Sequence, residues 1–357
     1  VAETRILGVA SAMPKLYFSQ QEIYDELRTY WQDTLPNPAV LERFHQRVGV
    51  DGRHFVLPLA EYRALDTWGK ANNVWISSAL ELGEQAIDGA LARAGLTRSD
   101  LDAIIFVSVT GIASPSVDAM LINRMGLPTH IRRTPIFGLG CVAGASGLAQ
   151  AADYLRAYPD RVAVLLSVEL CSLTFQRGDT TVANMIATGL FGDGACAVVL
   201  AGANHPAAKN AAKGPVVIDA ATNFYPGTEN TMGWAISEKG FNIVLNSDVP
   251  DVIHANLQRD VDQFLAQHQL TRADVGSWTL HTGGPKVLDA MAESLGLTRE
   301  DCAASWDSLR RVGNLSSASV LLVLEDTIYN RRPTPDTWGV LAAMGPGFCS
   351  QSVLLRW

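Results

Sequence analysis

LTRSDLDAIIFVSVTG (residues 96–111) and LTRADVGSWTLHTGG (270–284) decide the fold. Each opens on a Leu-Thr-Arg-x-Asp turn and continues into a short apolar strand ending at glycine. Each follows an amphipathic helical stretch, ALELGEQAIDGALARAG (79–95) in one case and IHANLQRDVDQFLAQHQ (253–269) in the other. Helix, Thr/Asp turn and apolar strand make an α/β unit. The offset from Leu96 to Leu270 is 174 residues, and RVAVLLSVEL (161–170) has a counterpart at about that offset in TWGVLAAMGPG (337–347). Between these landmarks each half carries a glycine-flanked turn leading into a helix: GLGCVAGASGLAQAADYLRAY (138–158) and RRVGNLSSASVLLVLEDTIY (310–329). The chain therefore reads as a duplicated α/β fold with one site where the two halves meet.

The halves are expected over residues 1–205 and 206–357, divided in the Ala/Gly/Asn/Pro-rich loop GANHPAAKNAAKGP (202–215). Residues from about 15 to 80 lack a repeat partner and read as a helical cap on the first half.

Composition narrows the function. With 357 residues a large core is available, and 48% hydrophobic with 18% charged residues is a globular balance. The formal charge of −8 gives no basic footprint for nucleic acid or an anionic membrane, although a local cluster could still hold an anionic substrate. Five cysteines, an odd number without paired or CxxC spacing, point to neither disulfides nor a metal site. The leading VAETRILGVASAMP lacks the apolar run of a signal peptide, and no stretch is apolar enough to span a bilayer. A cytoplasmic protein is expected.

Three residues carry candidate chemistry. Cys141 lies between a strand-like segment and a helix, where the positive helix end favours thiolate and Gly138, Gly140 and Gly144 permit a tight turn. His281 ends a short strand beside a glycine turn. Asn314 sits one residue from the position that the 174-residue offset assigns to Cys141. Singly, each has a structural alternative: a buried small apolar residue, a satisfied histidine, a helix cap. Together they describe a Cys-His-Asn site, either of an acyl-transferring condensing enzyme or of a papain-like protease. The mid-chain context GLGCVAGASG within a duplicated frame disfavours the protease.

GLGCVAGASG, GLFGDGACAVVL (189–200), HTGGPKVLDAM (281–291), GNLSSASVLLVLE (313–325) and the closing GPGFCSQSVLLRW (345–357) resemble the type III polyketide synthases, the chalcone synthase-like superfamily. The resemblance implies a thiolase-like fold with layers αβαβα. It also implies a homodimer, coenzyme A thioesters as substrates, and neither a permanently bound cofactor nor a metal or acyl carrier protein. Cys141 would take an acyl-CoA starter, with His281 and Asn314 receiving the enolate of malonyl-CoA. By the same resemblance Phe191 gates the site, and Val109, Ser114, Cys171, Thr174 and Ser316 line the elongation cavity. Trp234 replaces a glycine of the chalcone synthases; it would shape the cavity or simply fill a core. Gly283 and Gly284 belong to the HTGGP motif, and Arg43 and Arg47, four apart on one helix face, approximate coenzyme A contacts or form a solvated face. Small side chains at 114 and 171 point to a long-chain starter and an alkylresorcinol or alkylpyrone product. A single-condensation enzyme like β-ketoacyl synthase III, and a non-catalytic partner protein of the same fold, are the alternatives.

Overall fold

The structure is a computed structural model and describes residues 3–35, 37–209 and 214–357. Part of the expected boundary loop, 210–213, lies outside the described residues.

In the first half β1 (Thr4–Ala12) is followed by β2 (Leu16–Ser19), α1 (Gln20–Tyr30), α2 (Pro38–Arg47) and β3 (Gly52–Phe55). Then come α3 (Trp68–Ala94), β4 (Ala103–Val107), α4 (Val117–Met125), β5 (Arg132–Ile136), α5 (Ala143–Ala157), β6 (Val162–Leu170), α6 (Val182–Leu190) and β7 (Asp193–Ala201). The second half contains β8 (Val216–Phe224), the hairpin β9 (Met232–Ser237) and β10 (Gly240–Leu245), then α7 (Val249–Gln267) and β11 (Val275–Leu280). It closes with α8 (Pro285–Leu295), α9 (Ala303–Val312), α10 (Ser319–Asn330), β12 (Trp338–Gly345) and β13 (Cys349–Arg356).

The nine sheet strands run in the order β11-β12-β13-β8-β1-β7-β6-β4-β5. Reading outward from the centre, β1-β7-β6-β4 and β8-β13-β12-β11 repeat one pattern: two antiparallel pairings, then a parallel one. Within the nine-stranded sheet the halves meet, among the described residues, where Thr4 and Arg5 of β1 pair with Val217 and Val216 of β8. That short seam lets the sheet fold around α5 and α10, whose apolar faces share one core with β1, β4, β6, β7, β12 and β13. The outer faces are covered by α3 and α4 on one half and by α7, α8 and α9 on the other. The molecule is thus a mixed α/β protein with the expected layers. Strand β6 shows why its sequence is continuously apolar. Val162, Val164 and Leu166 face the outer helices, Ala163 and Leu165 face α5, and all are fully buried.

Two expectations need adjustment. The cap ends at Thr67, because α3 begins at Trp68 and packs along β1 and β7; the cap also holds the antiparallel pair β2 and β3. The Leu-Thr-Arg-x-Asp turn marks helix-to-strand corners in both halves: Thr97 N–H donates to Asp100 at 2.7 Å and Thr271 N–H to Asp274 at 2.8 Å. It occurs a third time at Leu297–Asp301, where Thr298 N–H bonds Asp301 at 2.7 Å after α8. The motif is therefore a helix-exit device, and the repeat is carried by the strand pattern.

The middle layer is tight. A Cβ on Gly144, in the first turn of α5, would lie 2.1 Å from the carbonyl oxygen of Ser317 and 3.0 Å from Val320. Gly144→Ala is expected to cost about 1–3 kcal/mol, the usual penalty of overpacking. Chemical denaturation of both proteins checks this, and an unchanged stability would contradict the packing described.

Candidate active site

The turn Gly140–Val142 ahead of α5 and the turn Ser316–Ala318 ahead of α10 face each other across the pseudo-twofold junction. Cys141 Sγ lies 3.6 Å from Ser316 Oγ, to which the thiol donates. Ser316 holds φ 48°, a left-handed conformation that is unusual for a side chain other than glycine and frequent at functional sites. The GPGF segment braces the nucleophile turn from behind: a Cβ on Gly140 would come within 2.8 Å of Pro346.

Asn314 has a fixed amide orientation. Its Oδ1 accepts from Ser316 N–H at 2.7 Å and from the Ser319 hydroxyl at 3.3 Å. Asn314 lines the same cavity as Cys141, and its side chain acts to lower the pKa of the thiol. The capping role and the site role are therefore the same arrangement. His281 follows β11, its backbone N–H bonded to Ala342 at 3.0 Å, and Gly283 N–H returns to the His281 carbonyl at 3.0 Å. Both ring nitrogens are buried without a partner, as is Thr282 Oγ1. A buried imidazole left without hydrogen bonds is costly, and at a cavity wall it is a group awaiting a ligand.

Cys141, His281, Gly283, Asn314 and Phe191 line one cavity of about 20 Å³, with Met232, Met344 and Phe348 among its apolar walls. That is room for about one water, so substrate entry needs wall side chains to move. Gly284 follows at φ 124°, just outside, as the cap of α8.

Burial opposes a charge on either the thiol or the imidazole. Burial pushes Cys141 up to about 12, against opposing hydrogen bonds from Ser316 and Asn314. Burial alone pulls His281 down to about 4. The expected thiolate-stabilising helix end is thus outweighed by desolvation, and neither charge is favourable in isolation. His281, which lines the same cavity with both ring nitrogens unpartnered, is a neutral base able to accept the thiol proton.

A second cavity of about 100 Å³ lies beyond Phe191, which lines both. Cys171, Thr174 and Trp234 line it, and Phe175 with the cap residues Ile23, Leu27 and Leu59 carries it outward. Trp234 is half-buried and donates Nε1–H to the Val109 carbonyl at 3.0 Å, so it is a wall residue rather than core filling. Val109 contributes that carbonyl and lines neither cavity. Ser114 is exposed, and Arg43 and Arg47 are exposed on α2; the chain brings none of the three to these cavities. Among the described residues, no group of three His, Cys, Asp or Glu side chains could hold a metal, and no helix is long and apolar enough to cross a membrane.

Sequence reading missed two buried charges. Glu169 accepts from the Thr110 hydroxyl at 2.9 Å, Val109 N–H at 3.1 Å and the Ser317 hydroxyl, tying β6 to the Asn314 turn. Burial raises its carboxyl above the ordinary range. A lone acid inside the apolar LLSVEL was the available signal. Arg53 has no such signal in the sequence.

Comparison with known proteins agrees with this geometry. The profile of chalcone and stilbene synthases matches twice, the N-terminal domain over residues 2–205 and the C-terminal domain over 216–357. The chain belongs to the chalcone and stilbene synthase family. It is similar to 1,3,6,8-tetrahydroxynaphthalene synthase of Streptomyces peucetius subsp. caesius, at 47% identity over 99% of this chain and 93% of that one. It is also similar to 3,5-dihydroxyphenylacetyl-CoA synthase of Streptomyces toyocaensis, at 32% over 99% and 90%. Among solved structures, the tetrahydroxynaphthalene synthase of Streptomyces coelicolor A3(2) superposes with a TM-score of 0.89 at 28% identity, covering 99% of both chains. PKS-I of the brown alga Ectocarpus siliculosus gives 0.91 at 26%, covering 100% of this chain and 98% of its own. The fold is the thiolase-like fold of these enzymes, and the protein is a type III polyketide synthase, an acyltransferase acting on coenzyme A thioesters.

If the thiolate depends on His281, His281→Gln leaves the thiol with its burial penalty and no proton acceptor. Alkylation of Cys141 by iodoacetamide, followed by peptide mapping, should slow at least about tenfold at pH 7 and recover only at more alkaline pH. A parental pH profile in the variant would contradict the coupling.

Proposed function

We propose that Cys141 is the nucleophile of this synthase and that His281 and Asn314 hold the enolate. The observation that carries this reading is the convergence of all three side chains on one small, largely apolar cavity, with both nitrogens of His281 unpartnered. The Cys141 thiolate attacks the acyl-CoA carbonyl, coenzyme A leaves as its thiolate, and that thiolate takes the proton from His281. Malonyl-CoA then loses carbon dioxide and the electron pair moves onto its thioester oxygen. His281 and the Asn314 amide donate to that oxygen, each such donor being worth about 2.7–4 kcal/mol. The enolate carbon attacks the acyl carbonyl on Cys141, the carbon–sulfur bond breaks, and the chain leaves two carbons longer.

Repeated rounds give a poly-β-ketone, which this enzyme closes carbon to carbon into a hydroxylated aromatic ring. The names of the two relatives support this closure: 1,3,6,8-tetrahydroxynaphthalene and 3,5-dihydroxyphenylacetyl-CoA both carry ring hydroxyls in meta relation. Trp234, set between the Val109 carbonyl and Phe241 at 5.8 Å, is placed to bend the chain for that closure. A second reading, a long-chain acyl starter, rests on the apolar lining that runs from Phe191 to the cap. The exposed edge strand β5, with Ile112 and Phe137 exposed, supports a homodimer. Ser114 lies near that edge, since Ser116 bonds Arg133 of β5 at 2.9 Å. Five free, buried cysteines support a reducing compartment, the cytoplasm. The division into halves at 205/206 is kept as part of this reading.

Incubation with malonyl-CoA, alone and with a series of acyl-CoA starters, should yield meta-hydroxylated aromatic products by mass spectrometry. One acyl group should appear on the Cys141 peptide and vanish in Cys141→Ala. Labelling that persists in the variant, or on Cys171, would overturn the nucleophile assignment. Preference for long-chain starters over malonyl-CoA alone would select the second reading, and exclusive lactone products would refute the ring closure.

A further inference from the structure

Arg53 is fully buried in β3 yet makes no hydrogen bond to a carboxylate among the described residues. Its guanidinium donates to the carbonyls of Thr188 at 2.6 Å and Phe191 at 2.9 Å, and to Gln20 Oε1 at 2.7 Å. Gln20 in turn donates Nε2–H to the Gly189 carbonyl at 2.8 Å. The two side chains thus satisfy three carbonyls at the C-terminal end of α6, where a helix leaves acceptors unpaired and favours a cation. Asp193, buried nearby, attracts the guanidinium through space.

The stem of Arg53 is held as specifically as its head. A Cβ on Gly192 would lie 3.2 Å from Arg53 Cβ and Cγ; one on Gly313 would lie 3.0 Å from Cδ and 3.1 Å from Cγ. These glycines are the neighbours of Phe191 and Asn314. The same two strands of backbone are laddered together: Asn314 N–H bonds the Leu190 carbonyl at 2.9 Å, and Gly192 N–H bonds the Asn314 carbonyl at 3.0 Å. Any displacement of the α6 end therefore moves Asn314 and Phe191 together.

We propose that Arg53 is a positioning residue, which fixes Phe191 between the two cavities and, through the Leu190–Gly192 ladder, sets Asn314 for enolate stabilisation. The proposal rests on the role assigned to Asn314 above. A neutral side chain of similar length cannot reach the two carbonyls with paired donors. A lysine supplies the charge without the planar fork. The buried, costly cation is retained because it locks this corner.

Arg53→Met keeps the stem and removes the donors. Malonyl-CoA decarboxylation should fall on the order of 100-fold, the scale of a 1 Å misplacement at a reacting centre. Acylation of Cys141 should fall much less, because the nucleophile turn rests on Pro346 and not on the end of α6. Arg53→Lys should give an intermediate loss. Combined with Asn314→Ala, Arg53→Met should add little further loss, since both changes remove one function. A folded Arg53→Met that decarboxylates like the parent, or losses that multiply with Asn314→Ala, would overturn the proposal. If Arg53→Met does not fold, Arg53→Lys carries the same test, and parental decarboxylation there would overturn it equally. Asn314→Ala run alone separates the two readings. If it spares decarboxylation the site assignment fails, and if it abolishes decarboxylation while the Arg53 variants do not, only the positioning role fails.

Discussion

The contact between the first turn of α5 and the carbonyl of Ser317 is the constraint on which the rest of the molecule depends. Only a residue without a side chain fits at Gly144, and that absence lets the nucleophile turn of one half approach the asparagine turn of the other. The approach places Sγ of Cys141 against Ser316, in the cavity that Asn314 also lines. A duplicated fold with bulkier residues at this junction would have two separate helix ends and no shared site. The layered sheet serves the same end, since its narrow seam between β1 and β8 lets both halves close on α5 and α10.

The closeness of this packing also buries the site, and burial governs its chemistry. Desolvation penalises thiolate and imidazolium separately, yet a proton passed between them creates a compensated pair. The same low-polarity setting strengthens the donors that meet a developing enolate oxygen, because no water competes with them. The Asn314 amide is locked before substrate arrives by its bonds to Ser316 and Ser319. Catalytic power in this account is preorganisation, built from main-chain turns and a few buried polar side chains.

Much of this was legible in the chain itself. The repeat, the glycine-flanked turn around Cys141 and the motifs at 281–291 and 345–357 were enough to expect the fold and the three site residues. Their local context, strand end or helix start, is written in short-range pattern. What escaped was whatever depends on long-range packing. Arg53 is separated by 135 residues from Thr188, whose carbonyl it binds, and nothing in RHFVL announces that bond. The charge state of Cys141 escaped for a related reason, since a helix end is visible in sequence and complete burial is not. Ser316 is nearer the nucleophile than a cavity-wall role implies, because a left-handed backbone turns it inward. Ser114 and the α2 arginines stand on the surface of this chain, where composition alone could not separate a ligand contact from a solvated face.

The central claim is a division of labour across the junction, with acyl transfer on the Cys141 side and enolate formation on the His281–Asn314 side. The rate of malonyl-CoA decarboxylation in Cys141→Ala, measured with and without Asn314→Ala in the same chain, tests it most directly. The account predicts that the single variant still converts malonyl-CoA to acetyl-CoA while making no polyketide, and that adding Asn314→Ala abolishes the conversion. Loss of decarboxylation on removing the thiol alone, or its survival in the double variant, would contradict it.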